Sequence, residues 1–328
     1  LEKIDLLPRL RHRTLVVPEM ACILAEGEDE LRKRLGTLTR VLDGEGYEAN
    51  TGVHGKRGYS GDYLFMMLGA STPFPLRVWK AMTGYGHRMF FLNLHTSDPD
   101  VDQLMSQLNG FGYKWSEGRC QVATESFMQS LWAKYAGKLE WDKESDDMAA
   151  KKIIGQLAQF QCKFRGDIIV YEERDEHGKS ISHTKPEIEK PHRANQQLYN
   201  LARGHALLHR RTHITMEDIP ILFPVVFSTA PSPRPDILRL LLRKKGALVA
   251  SDLIDELKIV RNTAKKEMTK LATLGLGRIE KKVVGDEGGD PWEESEKEQG
   301  MWTLHLNDDL KWMISPEINE LYAVHGVI

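Results

Sequence analysis

Residues 191–219 constrain the fold of this 328-residue chain more than any other segment. Apolar side chains recur there every three or four residues, which predicts a helix with one buried stripe. The stripe comprises Leu198, Leu201, Ala202, His205 and Leu208. The same spacing leaves three arginines in solvent, namely Arg203, Arg210 and Arg211.

A second helix is predicted after Thr215, whose hydroxyl can cap it, with Glu217 and Asp218 in its positive first turn. Residues 191–219 therefore predict two packed helices. Arg193 lies at the start of the first one, where the pattern alone favours a solvated surface arginine over one that contacts phosphate.

The composition sets outer limits. With 41% hydrophobic residues, the chain can bury two or three cores, and its formal charge of −2 selects no partner. Three widely spaced cysteines without a CxxC pair predict a reduced chain, cytoplasmic or nucleoid-associated, with no zinc ribbon or other metal site. No apolar run approaches about 18 residues, so we predict no membrane contact.

Apolar runs predict the buried strands of an α/β fold. The run at 13–20 ends in Glu19, which a parallel strand would deliver to the sheet edge where ligands bind. The run at 63–73 is apolar throughout, which predicts cover on both faces, and it ends in Ser71 and Thr72. A third buried strand is predicted at 89–94, directly after Arg88.

Each of these polar residues has an ordinary structural interpretation too. Glu19 can be an acid in a helix first turn, and Ser71 and Thr72 can end a strand and cap the helix near Pro75. Arg88 can be a surface residue at a strand start.

Between the first two strands, a helix is predicted over 21–42, interrupted at 27–30. The glycine-rich stretch 43–63 predicts one or two hairpins, with His54, Lys56 and Arg57 at a tip where they can grip phosphates. A solvated turn with incidental charge is the alternative.

The middle of the chain predicts helices over 98–164 and a hairpin over 166–184 that can touch DNA or a neighbouring subunit. Three prolines at 231–235 then mark a domain boundary. We predict domains at 1–97, 98–230 and 231–328.

The last domain has the pattern of a winged helix, with three helices and two wing strands joined by an acidic loop at 285–300. Its third helix, 260–274, buries Ala264, Met268 and Leu271. Its outer face is predicted to carry Arg261, Asn262, Lys265, Lys266 and Lys270. Such a face suits the DNA major groove, whereas a solvated face or a protein partner is the alternative.

The order of these elements over residues 14–226 resembles the minichromosome maintenance (MCM) helicase branch of the AAA+ ATPases. The resemblance implies that Glu19 ends a Walker B strand and polarises the attacking water, while Ser71 or Thr72 positions that water as sensor 1. Pro18 departs from the pattern, since it stands where the magnesium-binding acid is expected.

The resemblance also assigns two arginines. Arg88 corresponds to the arginine finger, which acts on a neighbouring subunit's nucleotide and therefore requires an oligomer. Arg193 corresponds to sensor 2, which reaches the terminal phosphate from the helical lid. The implied fold is a partial AAA+ core, a parallel sheet with helices, followed by an α-helical lid and the winged helix.

The function that follows is the C-terminal portion of an ATP-dependent DNA motor or DNA-remodelling ATPase. It would assemble into a ring, expected to be a hexamer, and use ATP and Mg²⁺ through an N-terminal half expected to precede Leu1. Gly52 to Lys56 is too short for a phosphate-binding loop, so this chain alone is not expected to hydrolyse ATP well. Two alternatives are a non-catalytic DNA-binding or replication-initiation scaffold, which Pro18 favours, and a regulator whose winged helix binds protein.

Overall fold

The computed structural model describes residues 6–25, 27–44, 47–52, 55–59, 64–86, 88–94, 98–108, 111–137, 139–175, 178–282 and 301–324. Within them the α-helices are α1 (Leu6–Arg9), α2 (Ala21–Leu24), α3 (Glu28–Leu42), α4 (Leu76–Tyr85), α5 (Val101–Leu108), α6 (Phe111–Lys134), α7 (Met148–Phe164), α8 (His192–Leu208), α9 (Leu222–Phe227), α10 (Arg234–Arg243), α11 (Ala250–Leu257), α12 (Arg261–Thr273) and α13 (Pro316–Ala323). The strands are β1 (Thr14–Val17), β2 (Tyr47–Thr51), β3 (Gly55–Tyr59), β4 (Met66–Gly69), β5 (Val170–Asp175), β6 (Gly178–His183), β7 (Ala247–Val249), β8 (Gly277–Lys282) and β9 (Met301–Leu306). Short 3-10 helices span Met216–Asp218 and Asp308–Ile314. No helix in this part of the chain is both long and apolar enough to cross a membrane.

The N-terminal region is built on two parallel strands, as the sequence predicts. β1 pairs with β4 in a register that runs from Thr14 opposite Met66 to Val17 opposite Gly69. The helix predicted over 21–42 is interrupted, as expected, but the break lies between Leu24 and Glu28 and not at 27–30, because residues 28–30 form the first turn of α3. A small core packs under these strands and consists of Met20, Leu24, Leu31, Leu35, Val78, Ala81 and Met82.

The prediction that the second strand is covered on both faces is wrong. β4 is shorter than its apolar run, and Met66 and Leu68 are 66% and 63% exposed. Val16 on β1 is 61% exposed on the paired strand. In the described residues one face of this strand pair packs on helices, and the other has no layer against it.

The third predicted strand is also wrong, since residues 88–94 form no strand in the described structure. Aromatic packing holds this segment instead of a hydrogen-bonded ladder. The Phe91 ring lies 4.9 Å from that of Trp79 and 6.1 Å from that of Phe74. Beyond it, the Asn93 amide donates to the Ser228 hydroxyl at 2.9 Å, which connects the segment to the end of α9.

Both predicted hairpins are present. β2 and β3 pair with Asn50 opposite Lys56, and β5 and β6 pair with Glu172 opposite Ile181. The predicted tip residue His54 lies outside the described residues.

α8 buries its predicted stripe through Leu198 and Ala202, although Leu208 at its end is 47% exposed. The helix predicted after Thr215 begins as the 3-10 turn Met216–Asp218 and continues as α9. Arg210 is exposed as predicted.

The other two arginines predicted to stay in solvent do not. The Arg203 guanidinium stacks 4.6 Å from the centre of the Trp141 ring. Arg211 pairs with buried Asp218. The helical spacing could not show that these partners approach from other elements.

The C-terminal region has the predicted three helices followed by two strands, in the order α10–α11–α12–β8–β9. A short strand that the sequence analysis missed, β7, precedes α11 and completes an antiparallel sheet in the order β7-β9-β8. Ala264, Met268 and Leu271 on α12 are buried, as predicted. The predicted acidic loop, residues 285–300, lies entirely outside the described residues. The chain then adds α13, whose Tyr322 is buried.

The predicted boundary at 231–235 lies between α9 and α10, but the hydrophobic core continues across it. One hydrophobic cluster runs from Ala150 on α7 to Tyr322 on α13. The Tyr322 ring lies 4.7 Å from that of Phe223 on α9. Arg234, at the start of α10, is buried and donates to the carbonyl of Gly166 at 2.9 Å. Helices α7–α9 and the C-terminal elements therefore share one hydrophobic core.

Candidate functional site

Glu19 lies at the carboxyl end of the parallel strand pair. The strands remain in register there, because the Ala70 amide donates to the Val17 carbonyl at 3.0 Å and the Met20 amide to the Ala70 carbonyl at 2.7 Å. The exposed Glu19 carboxylate accepts a hydrogen bond from the Ala21 amide at 2.8 Å. It thus occupies both the sheet edge and the first turn of α2.

Ser71 and Thr72 follow Ala70 at the same edge, and both are exposed. They do not cap α4, whose N-cap is Pro75 and which has no side-chain capping bond. The sheet therefore brings Glu19, Ser71 and Thr72 to one edge, as the sequence predicts.

The same edge does not form a metal site by itself. Pro18 has no carboxylate, and the described residues contain no group of three or more His, Cys, Asp or Glu side chains that could hold an ion. The residues present here do not fit a complete Mg²⁺ site.

The two predicted phosphate-binding arginines meet at the opposite end of α4, a helix about 15 Å long. They converge on Gly86, which has a positive φ of 72°. A side chain at this position would collide with the Arg193 guanidinium. Arg88 Nη1 and Glu189 Oε2 each lie 3.3 Å from the position that a Cβ atom of residue 86 would occupy. Gly86 therefore leaves the space in which both arginines and one carboxylate gather.

Arg88 is engaged within its own chain. Its Nη2 lies 2.7 Å from Asp43 Oδ2, and its Nε is 3.1 Å from both Asp43 oxygens. It also donates to the carbonyls of Tyr85 and Gly86, and its side chain is only 13% exposed. Action on a neighbouring subunit would require Arg88 to leave Asp43, so the role of arginine finger stays a prediction.

Behind Arg193 lies a buried ion pair that the sequence did not reveal. Arg165 follows α7 directly, has a side chain only 1% exposed, and pairs with Glu189. Burial is the main reason that the pKa of Arg165 falls to about 10; Cys162 opposes the shift and the charge of Arg193 adds to it. Burial likewise raises the pKa of the neighbouring Cys162 thiol. No local pattern marks Arg165, because its partner comes from a segment 24 residues away in the sequence.

The turn after α8 is held by Asp218, which is fully buried. Its carboxylate accepts hydrogen bonds from His205 Nδ1 at 2.7 Å, from both Arg211 terminal nitrogens at 2.9 Å, and from the Thr215 amide at 2.8 Å. The sequence predicted Asp218 only as a first-turn acid. In the structure it fixes the angle between α8 and the following helices.

A second buried carboxylate, Asp146, links α8 to the segment that follows it. It accepts hydrogen bonds from the Tyr199 hydroxyl at 2.6 Å and from the Ile214 amide at 3.0 Å. Burial alone disfavours the charged form, but these bonds and the nearby Lys151 ammonium outweigh it, so the pKa of Asp146 lies below its ordinary value.

The predicted DNA-binding residues lie on two separate elements. Lys56 is on β3, is exposed, and pairs with Glu48 at 2.7 Å. Arg57 is its neighbour on β3, and its side chain lies outside the described part of the structure. Arg261 and Asn262 are exposed at the start of α12.

The three lysines predicted for the outer face of α12 are only partly exposed, and each contacts another side chain. Lys266 Nζ lies 3.0 Å from Glu172 on β5, and Lys270 Nζ lies 2.6 Å from Glu267. Lys265 Nζ lies 5.3 Å from the centre of the Trp302 ring. For Lys265 and Lys266 the physical reason is that β9 and the β5–β6 hairpin pack beside α12, which helical periodicity could not show, whereas Lys270 pairs with a residue of its own helix.

A family model described as an AAA lid domain matches residues 189–229. The match covers α8, the turn held by Asp218, and α9, and it includes both Glu189 and Arg193. It supports the C-terminal lid of an AAA+ ATPase, and the small parallel sheet with its helices fits a partial AAA+ fold. No curated protein and no solved structure matches the chain.

Proposed function

We propose that this chain is the C-terminal portion of an AAA+ ATPase that works as a DNA motor or remodels DNA. The observation that carries the proposal is the AAA lid match over the helix that begins with Arg193. The placement of Glu19, Ser71 and Thr72 at one edge of the parallel strands adds to it. AAA+ proteins commonly act as rings on ATP, and we propose a ring, of six subunits, for this chain too.

The geometry favours a site shared between subunits. Ser71 and Thr72 precede α4, whereas Arg88 follows it and meets Arg193 at Gly86. Because the ten residues of α4 separate the two groups along the chain, we infer that they act on different nucleotides. In the proposed ring, each subunit polarises and positions water at its own nucleotide, and its two arginines stabilise phosphate charge at a neighbour's nucleotide.

The chemistry asked of these residues is limited. Glu19 would accept the proton of the attacking water, a hydroxyl at 71 or 72 would orient that water, and the guanidinium groups would neutralise charge on the terminal phosphate. Because the residues at this edge do not form a Mg²⁺ site, no step is assigned to the metal.

ATP turnover by the longest natural form of the protein tests the proposal. Glu19→Gln should lower kcat by about 100-fold or more while nucleotide binding remains, since a general base is lost without a change of shape. Glu28→Gln is the matched control, an exposed acid in a helix first turn that pairs with Arg32. Unchanged turnover in Glu19→Gln would refute the role of Glu19.

Mixing variants tests the shared site. Glu19→Gln and Arg193→Ala should each be inactive, and an equal mixture should regain turnover because about a quarter of randomly formed junctions have both groups intact. If both residues acted on the same chain's nucleotide, the mixture would stay inactive.

DNA is proposed as the partner on the basis of the C-terminal elements. The order α10–β7–α11–α12–β8–β9 is that of a winged helix, and the start of α12 exposes Arg261 and Asn262. Lys56 and Arg57 on the β2–β3 hairpin would add contacts to DNA phosphates.

Two observations favour a second candidate, a non-catalytic scaffold with a degenerate ATPase core. Pro18 stands where the family has its metal-binding acid, and Arg88 forms an ion pair with Asp43 of its own chain. A wild-type protein that assembles and binds DNA without ATP turnover would select this candidate.

A further inference from the structure

Two lysines from different elements contact the ring of Trp302. Lys281 on β8 is directly opposite Trp302 on β9, and its Nζ lies 4.5 Å from the centre of the indole ring. Lys265 on α12 places its Nζ 5.3 Å from the same centre. Trp302 packs partly against the hydrophobic core and is partly exposed, so the ring and its two cations reach the surface.

This cluster continues onto the start of α12. Arg261 precedes Lys265 by one helical turn, so both lie on the same side of the helix. Arg261 and Asn262 are exposed. The acidic side chain of Glu280 belongs to the opposite face of β8, where it pairs with His305 at 3.2 Å. Cations and one aromatic ring thus share a continuous strip.

We infer that Arg261, Lys265, Lys281 and Trp302 form a binding strip for single-stranded nucleic acid, in which a base stacks on Trp302 and the cations contact flanking phosphates. The inference deepens the proposed nucleic-acid function and rests on it.

A single strand fits this strip better than a duplex. A recognition helix reads the major groove by lying in it, and this requires an open helix face. The β5–β6 hairpin covers part of the surface of α12, where Glu172 pairs with Lys266. The exposed residues of α12 are therefore those of its first turn, Arg261 and Asn262. An aromatic ring beside cations along a short path is the arrangement that binds single strands through stacking and phosphate contacts.

Fluorescence anisotropy with a labelled 20-mer of thymidylate, and with a duplex of the same length, tests the inference on the full chain. Trp302→Ala should weaken single-strand binding by about 10-fold, whereas Trp302→Phe, which keeps a stacking ring, should restore most of it. Lys281→Glu should weaken binding and lower the salt dependence by about one phosphate contact. Residues 286–298, which are rich in acids, are kept intact in every variant.

Trp115→Ala is the matched control. Trp115 is an exposed tryptophan on α6 that also has a cation over its ring, with Arg119 at 4.6 Å. Lys311→Glu controls for charge, because Lys311 is exposed and pairs with Asp308. Thermal unfolding of each variant separates lost binding from lost folding, and Trp302→Phe remains informative if Trp302→Ala does not fold.

The outcomes are distinct. Binding that falls equally in Trp302→Ala and Trp115→Ala, or a duplex bound more tightly than the single strand, would overturn the inference. Loss of polyglutamate binding rather than of nucleic acid in Trp302→Ala would assign the strip to an acidic protein partner and overturn it as well. Binding of neither nucleic acid by the wild-type chain would refute both this strip and the proposed DNA partner, whereas ATP turnover would still test the ATPase separately.

Discussion

Residues 14–94 and residues 148–324 bury their apolar side chains in different ways. The first region packs a few helical side chains under two strands, and Val16, Met66 and Leu68 on those strands remain mostly exposed. The second region buries Phe160, Phe223, Phe227 and Leu304 completely within one cluster. The difference teaches that the lid draws its stability from the C-terminal elements, whereas the strand pair that positions Glu19 has one uncovered face.

The largest expected effect distinguishes the two cores. Phe227→Ala should lower the free energy of unfolding by about 3–5 kcal/mol, because the ring is fully buried against Phe160, Phe223 and Tyr322. Hydrogen exchange should show lost protection in α8 and α12 together. Leu31→Ala, a fully buried residue of the small core, should instead destabilise α3 and α4 by about 2–5 kcal/mol. Loss of protection in α8 while α12 keeps its own would refute the single shared core.

A smaller effect is expected at the contact between the hairpin and α12. Lys266→Glu should cost about 0.5–1 kcal/mol, since it breaks a partly exposed ion pair and places two acids together. The reversed pair, Lys266→Glu with Glu172→Lys, should recover most of the loss in urea unfolding. DNA affinity should change little in either variant. A large change would mean that Lys266 contacts DNA, as the sequence analysis predicted.

The smallest effect concerns acid stability. The folded state holds the pKa of Asp146 below its unfolded value of about 3.9. The resulting stabilisation is therefore complete above that value and is lost as the pH falls through the lower, folded pKa. The difference in unfolding free energy between wild type and Asp146→Asn should be constant from pH 7 to 5 and should shrink below about pH 4. A difference that grows on acidification would contradict the ionised state of Asp146.

Local patterns predicted most elements correctly. The two parallel strands, the interrupted helix over 21–42, both hairpins and the helices of the C-terminal region follow from periodicity, glycine and proline. The order of polar residues along the chain also placed Glu19, Ser71 and Thr72 at one edge, because parallel strands that pair in register must end together.

The errors concern what approaches an element from elsewhere in the chain. An apolar run such as 63–73 shows that a strand forms, but it cannot show that one face of β4 lacks a covering layer. Periodicity placed Lys266 and Arg211 in solvent, whereas Glu172 and Asp218 approach them from other elements. The ion pair between Arg165 and Glu189 was missed for the same reason, since the sequence around each residue gives no sign of its partner.

The buried arginine under α7 has a mechanical consequence. Arg234 donates a hydrogen bond to the backbone that follows α7, and Phe223 and Phe227 pack against Tyr322 on α13. Direct contacts therefore join α7 to α10 and α9 to α13. In the proposed motor, a movement of these helices that displaced Arg193 would therefore also displace the C-terminal elements that carry Arg261.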